Sequence, residues 1–380
     1  MEKTFKLVDT TLRDGEQTAG VVFSIREKRR IAEMLDEIGI DQIEVGIPAV
    51  GGEEERAVKE IAHAGHRASI MAWSRAVVGD VEQCMRCGVD SVSICISASD
   101  IQITTKLQKD RAWVLRQLEK TVKVARDNGL YVSVSAEDCS RADENFLAQF
   151  CRVAVDSGAN RVRFCDTVGV LEPFNTYAKI RRLLDSVWGL SLEMHMHNDF
   201  GMATANTIAG LMAGASHAGV TVNGLGERAG NAPLEEVVMA ARHLLGYTLD
   251  IDTKRFKDLS EYVGLASARQ VPPAKAVVGS SVFAHESGIH VDGTLKNPAN
   301  YEAFDPAEVG LERKIVLGKH SGGAAIKHTL EKHGVTLDGE AIERLLAAVK
   351  SSAMELKRSL VDQELLHLYR ELSRSRARAG

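Results

Sequence analysis

Residues 91–137 read SVSICISASDIQITTKLQKDRAWVLRQLEKTVKVARDNGLYVSVSAE, and this stretch decides the fold. Two short runs rich in β-branched residues, at Ser91 and Tyr131, flank a long amphipathic run that stops on Gly129, the usual residue just past a helix end. The same beat continues in both directions. Upstream, candidate strands begin near Phe5 (FKLVD), Gln42 (QIEVG) and Ala68 (ASIMAW); downstream, near Arg161 (RVRFCD), Leu192 (LEMHMH) and Ala218 (AGVTVNG). Helical patterns such as REKRRIAEMLDEIG and ENFLAQFCRVAVDSG fill the intervals. Eight strands alternating with helices at roughly 30 residues per unit predict an α/β fold, a (β/α)8 TIM barrel of ~250 residues. A doubly wound open sheet is the competing fold, and it lacks its G-x-G-x-x-G after the first strand.

The barrel pattern ends near Leu245, which predicts a catalytic domain over 1–250 and a mainly helical lid and subdomain over 251–380. In the second part a Gly- and His-rich stretch from Val277 to Gly293 precedes helical patterns at 322–334, 339–356 and 362–376, and the closing SRSRARAG reads as frayed. Composition narrows the class: 44% hydrophobic and 26% charged residues exclude wholesale disorder. A net charge of −5 gives no basic surplus for nucleic acid or an anionic membrane. No apolar run approaches the ~20 residues of a membrane span, and the start has no signal-peptide core. A cytoplasmic soluble protein is the expectation. The six cysteines are too scattered for a disulfide framework, and Cys84-x-x-Cys87 lacks the second pair of a zinc site, so buried thiols are expected.

In such barrels functional side chains gather at the C-terminal ends of strands. Arg13 and Asp14 follow the first strand, Glu44 ends the second, Glu137 and Asp138 the fifth, Asp166 and Thr167 the sixth, and His195 and His197 the seventh; Asn231 follows the eighth. Within Glu193-Met194-His195-Met196-His197, residues two apart share a strand face, so Glu193, His195 and His197 point into the barrel mouth together. An H-x-H alone also describes two hydrogen-bonded core histidines. With the Asp14 carboxylate and the Asn231 amide opposite, the set fits one divalent ion with open coordination positions.

The stretch LRDGEQ with Lys28 eleven residues beyond Gln17, and LEMHMHNDFGMATA, resemble the two signatures of the metal-dependent acyl-CoA condensing synthases and lyases. That family includes 2-isopropylmalate, citramalate and homocitrate synthases and hydroxymethylglutaryl-CoA lyase. The resemblance continues through NGLGERAGNAPLEE, FAHESGIHVDG and VLGKHSG, spanning roughly Lys6 to Gly322, and is greatest to the nitrogen-fixation type of homocitrate synthases. It implies Asp14, His195 and His197 as metal ligands with Asn231 beside them, Arg13 as stabiliser of oxyanion charge, and His290 as general base with Tyr301 and Glu137 near it. Gln17, Glu44, Ser135, Thr167 and Glu193 fall at substrate-side positions. It also implies zinc, manganese or magnesium as the ion, acetyl-CoA as co-substrate, and a homodimer in which one subunit's tail covers the other's site.

The implied reaction is an acyl transfer in which the acyl group becomes an alkyl group: acetyl-CoA and 2-oxoglutarate give homocitrate and CoA. Lysine-pathway homocitrate synthases carry an arginine at the position of Ser133 and a histidine at that of Trp73, so a distal carboxylate needs another anchor here. Arg75 and Arg163 are the candidates. An isopropylmalate or citramalate synthase without a regulatory domain is the rival, since only about 60 residues follow Gly322. Two histidines and a carboxylate also describe a non-haem iron oxygenase, against which the SGIHVDG lid argues. Bland readings compete at single positions. His285 orders the lid, Glu16 makes a salt bridge, Trp73 is barrel core, and GKHSGG is either a phosphate-binding turn or a structural one.

Overall fold

The computed structural model describes the backbone of residues 4–379 and side chains through 374. Eight parallel strands, β1 (Lys6–Asp9), β2 (Gln42–Glu44), β3 (Ser69–Arg75), β4 (Ser91–Ser97), β5 (Tyr131–Glu137), β6 (Arg161–Asp166), β7 (Leu192–Met196) and β8 (His217–Val220), close in sequence order, with β8 pairing back on β1. The (β/α)8 barrel expected from the periodicity is the architecture observed. Local chemistry sets the helix ends. The helix Ile25–Ile38 starts in a capping box between Ser24 and Glu27. It stops at Gly39, whose φ of 98° and whose contact with the Asp250 carbonyl (2.6 Å from where a Cβ would lie) exclude any side chain.

The two faces of each strand differ in kind. Val92, Ile94, Val132, Val134, Val162, Phe164, Leu192 and Met194 are at most 1% exposed and form the hydrophobic layer under the helices. Each such burial contributes roughly 1.5–3 kcal/mol. The alternate positions point along the barrel axis and are polar: Gln42, Glu44, Ser91, Ser93, Ser133, Ser135, Arg161, Arg163, Glu193 and His217, all buried. Their direction is proved by contacts across the barrel, since Arg161 on β6 donates to the Gln42 amide oxygen on β2 at 2.5 Å. Barrel interiors are ordinarily filled by branched apolar side chains. This one is filled by a hydrogen-bonded ionic network.

The described chain divides into two compact units, the first ending at Val271 and the second beginning at Pro272. The helix Phe256–Ala266 belongs to the first, where Asn223 bonds to Ser260. The second contains the helices Gly288–Lys296, Gly323–Lys332, Gly339–Leu356 and Asp362–Ala379, and the strand pair Ala284–His285 with Lys314–Ile315. Its own core is built from Val291, Leu317, Ile326, Leu330, Leu345, Val349 and Leu365. The last helix continues to Ala379, into the segment expected to fray. Among the described residues no helix is long and apolar enough to cross a membrane. All six cysteines are unpaired thiols, five of them buried, as expected.

His217 gives this interior a measurable pH signature. Burial, and then the nearby Arg161 cation, push its pKa down to about 4 from a usual 6.5. The unfolded chain takes up a proton as pH falls below 6.5, while the native protein resists until about 4. Stability present at pH 7 is therefore lost across that window, by ~3 kcal/mol. Replacing His217 with Gln should flatten the difference in denaturant unfolding free energy between pH 7 and pH 4.5 by about that amount. An unchanged slope would refute the assignment.

Candidate active site

Asp14, His195 and His197 converge at the C-terminal mouth of the barrel, their ligand atoms all within 4.8 Å of one another. Asp14 Oδ2 lies 2.8 Å from His195 Nε2 and 3.8 Å from His197 Nε2. Burial alone would raise the Asp14 pKa. Arg13 and the two imidazoles outweigh it and hold the carboxyl well below the usual range. Burial and the neighbouring His195 push His197 down to about 4, so it stays neutral and able to ligate. The Asn231 side-chain amide nitrogen is 3.3 Å from Asp14 Oδ2, while its Oδ1 is buried without a partner. Turning this amide exchanges the two atoms and aims an oxygen at the cluster. Gly226 makes room for it, because a Cβ there would sit 1.7 Å from Asn231 Oδ1. One carboxylate, two imidazoles and an orphaned amide oxygen fit a divalent cation.

Below this cluster an alternating chain of charges descends the barrel axis. Arg13 pairs with Glu44, and its Nη1 is 3.4 Å from Asp14 Oδ2. Arg163 Nη2 lies 2.7 Å from Glu44 Oε2, off-line for a hydrogen bond, and Arg163 Nε donates to Glu193 Oε1 at 2.6 Å. Arg161 Nε donates to Glu193 Oε2, also at 2.6 Å. Burial would raise Glu44, but Arg13 and Arg163 hold it down at about 2. Burial would likewise raise Glu193, and Arg161 and Arg163 lower it. Every member is therefore charged.

A cavity of about 490 Å³ opens above the chain, lined by Arg13, Asp14, Gln17, Trp73, Arg75, Ser135, Glu137, Arg163, Thr167, His195 and His197 among others. Glu44 and Glu193, expected on the substrate side, are not in that wall. Both are fully buried and hold arginines, because two interior guanidinium pairs need counter-ions more than the pocket needs acceptors. Arg75 reaches the rim but is mostly exposed and forked onto Asp80 at 2.7 and 3.0 Å. Arg163 reaches the wall with its Nη1 unpartnered. Ser135 shares a hydrogen bond with Ser93 at 2.9 Å, Thr167 Oγ1 accepts the Asp138 N–H, and Gln17 accepts from Arg13. Trp73 lines the cavity rather than a sealed core. Glu16 makes the expected salt bridge: buried Lys28 joins it to Glu54 at 2.6 and 2.5 Å, tying the Arg13–Gln17 loop to the next helix.

Lys106, Arg161 and Arg228 escaped the sequence reading. Lys106 sits on a π-helical turn, Ile103–Leu107, and holds both Glu137 oxygens at 2.6 and 2.7 Å. Arg228 binds Asp199 and the Thr167 carbonyl. Arg161-x-Arg163 was findable, since the period-two rule that singles out His195 and His197 applies to it equally.

The remaining expected residues lie in the second unit. His290 stacks on Tyr301 with ring centroids 4.3 Å apart. His285 has the ordering role read for it: its Nε2 is 2.9 Å from Glu302 Oε1, and Glu302 also takes Arg313. In the GKHSGG turn the His320 N–H donates to Glu286 Oε1 at 3.1 Å. A Cβ on Gly318 would lie 2.6 Å from that carboxylate, so the turn holds an anion from its own chain.

A barrel mouth with a His-x-His and aspartate centre beside a buried arginine defines a metal-dependent condensing or lyase-type site, and sequence comparison agrees. The HMGL-like family pattern matches residues 4–263, and the homocitrate synthase post-HMGL domain-like pattern matches 277–357. The chain belongs to the HMGL-like family, among its acyl-CoA condensing synthases. It is 60% identical over 371 residues to 2-isopropylmalate synthase 2 of Caldanaerobacter subterraneus subsp. tengcongensis (98% of this chain, 96% of that one). It is 52% identical over 369 residues to homocitrate synthase 1 of Nostoc sp. (97% and 98%). The hydroxymethylglutaryl-CoA lyase structure from Pseudomonas aeruginosa shares the fold at a TM-score of 0.61 and 23% identity, covering 70% of this chain and 93% of that one.

If Asp14, His195 and His197 each supply a ligand, replacing any one with Ala should lower bound zinc or manganese and abolish condensation. Metal analysis of the purified variants decides. Full metal content with normal turnover in the His195→Ala protein would remove the cluster from consideration.

Proposed function

We propose that the chain condenses acetyl-CoA with 2-oxoglutarate and hydrolyses the thioester, releasing homocitrate and CoA. The charge balance of the interior carries this reading. Within the ion-paired chain, Arg13, Arg161 and Arg163 face Asp14, Glu44 and Glu193, three cations against three anions, while Asp9 on β1 is pushed up to about 7 by its burial. A divalent ion at Asp14, His195 and His197 leaves two positive charges uncompensated. A dianionic 2-oxo diacid neutralises them, whereas 2-oxoisovalerate or pyruvate leaves one buried charge over, which is costly. Arg163 lines the cavity and carries a buried Nη1 without a partner, which is the donor we assign to the distal carboxylate, and Ser135 lines the same cavity.

The ion would supply Lewis-acid polarisation of the 2-oxo group, and zinc, manganese and magnesium all accept such mixed ligation. The protein supplies the rest. His290, stacked on Tyr301, is the base that takes a proton from the acetyl methyl group. The resulting carbon nucleophile forms the C–C bond at the ketone carbon, and the π electron pair of the C=O bond passes to the ketone oxygen, which stays on carbon as an alkoxide. Arg13, held by Glu44, donates to that oxygen as charge develops. Glu137, oriented by Lys106 and Ser97, orients acetyl-CoA or its attacking water. Water then cleaves the thioester and CoA departs as the thiol. Homodimeric assembly in the cytoplasm belongs to the same proposal.

A second reading, 2-isopropylmalate synthesis, is favoured by the 60% identical relative of that name and by the apolar Trp73, Ile96 and Leu107 in the cavity. CoA release measured across 2-oxo acids, with product masses, separates the two. We expect a preference for 2-oxoglutarate over 2-oxoisovalerate and pyruvate of at least ~10-fold in kcat/KM, ~1.4 kcal/mol. Faster turnover of 2-oxoisovalerate establishes the second reading.

A further inference from the structure

We infer that Arg161, which touches neither the cavity nor the metal cluster, is a positioning residue that sets substrate selectivity through Glu193. This rests on the diacid reading above. Arg161 is 2% exposed, covered by the Tyr131 ring at 5.4 Å, and absent from the cavity wall. It donates to Glu193 Oε2 and Gln42 Oε1. Its hold divides the Glu193 carboxylate: Oε2 belongs to Arg161 and Oε1 to Arg163 Nε. Glu193 therefore takes a single N–H of Arg163, and Nη1 remains free. Without Arg161, the second oxygen is released to capture Nη2, which forks with Nε as it does in Arg75 on Asp80, and so draws the guanidinium away from Glu44. The turned guanidinium then carries Nη1 out of the place from which it would meet the substrate.

Charge acts in the same direction. Along β6, Arg161 lies four residues below Cys165, the register partner of His195. At ~3.3 Å per residue this is ~13 Å, within the low-dielectric barrel, where screening by solvent ions is weak. Removing one interior cation makes the site one unit more negative. A dianion must then bind less well and a divalent cation better. Loosened packing weakens both, so the opposite signs identify the role.

The test compares Arg161→Met, Arg161→Lys and the double variant Arg161→Met/Glu193→Gln with the unaltered protein. Two quantities are read: the kcat/KM ratio for 2-oxoglutarate over 2-oxoisovalerate, and the zinc dissociation constant of metal-free protein by chelator competition. Arg161→Met should lower the ratio about 10-fold, mainly through KM for 2-oxoglutarate, and tighten zinc about 3-fold or more. Arg161→Lys should stay near the unaltered values, and the double variant should return zinc affinity towards them. If both quantities are unchanged in Arg161→Met, or zinc binding weakens with substrate binding, the inference is overturned. If Arg161→Met does not fold, the double variant and Arg161→Lys decide: zinc affinity in either one that departs from the unaltered value by 3-fold or more overturns it. Should the unaltered protein itself prefer 2-oxoisovalerate, the diacid reading fails, and the sign of the zinc shift alone judges Arg161.

Discussion

Glu44 and Glu193 are the members on which the rest of the barrel interior depends. Each buried carboxylate is shared by two arginines, Arg13 and Arg163 on Glu44, Arg161 and Arg163 on Glu193. A buried ion pair on its own seldom stabilises a fold, because desolvation offsets attraction, whereas breaking one is expensive. The alternating chain meets that constraint by giving each of the two buried carboxylates two cationic neighbours. Its upper end places the Arg13 guanidinium beside Asp14, and Asp14 beside His195. The Asp14–His195–His197 cluster is thus the top of a structure that begins near the other end of the barrel.

Rigidity at the mouth has separate sources for each loop. The Arg13–Gln17 segment is held from outside by Lys28 through Glu16, and Glu54 in turn accepts the Ile47 N–H of the loop after β2. Asn231 reaches the cluster because Gly226 lacks a side chain at its closest approach. Thr167 is fixed from both sides, by the Asp138 amide and by Arg228 on its carbonyl. Such over-determination suits a site where catalytic groups must keep their positions as charge develops.

Much of this site was legible in the sequence, for one reason: period two along a strand is a local rule, and the chemistry of the rim sits on strand ends. His195, His197, Asp14 and Asn231 come together as that rule and the family resemblance require. The same rule, followed down the strands, also puts Arg161 and Arg163 on one face of β6 and Glu193 on the face of His195. It does not say which of them faces substrate. Glu44 and Glu193 looked like substrate-side acceptors and instead neutralise arginines, while Arg75, plausible as an anchor, is taken by Asp80. Those outcomes depend on cross-barrel distances between strands far apart in the chain, on which a linear pattern is silent.

The sequence by itself determined the eight-fold alternation, the strand starts, the helix ends at caps and glycines, and the residue types at the mouth. All of these follow from local backbone preferences and side-chain periodicity. Only the tertiary structure decided that the charged faces of β2, β6 and β7 turn inward, that Arg163 keeps Nη1 unpaired, that Lys106 holds Glu137, and that Glu286 fills the GKHSGG turn. The alternation in YVSVSAE or RVRFCD is equally compatible with a strand half exposed to water. Closing the barrel removes that water, and every charge on the inner face must then find its partner on another strand.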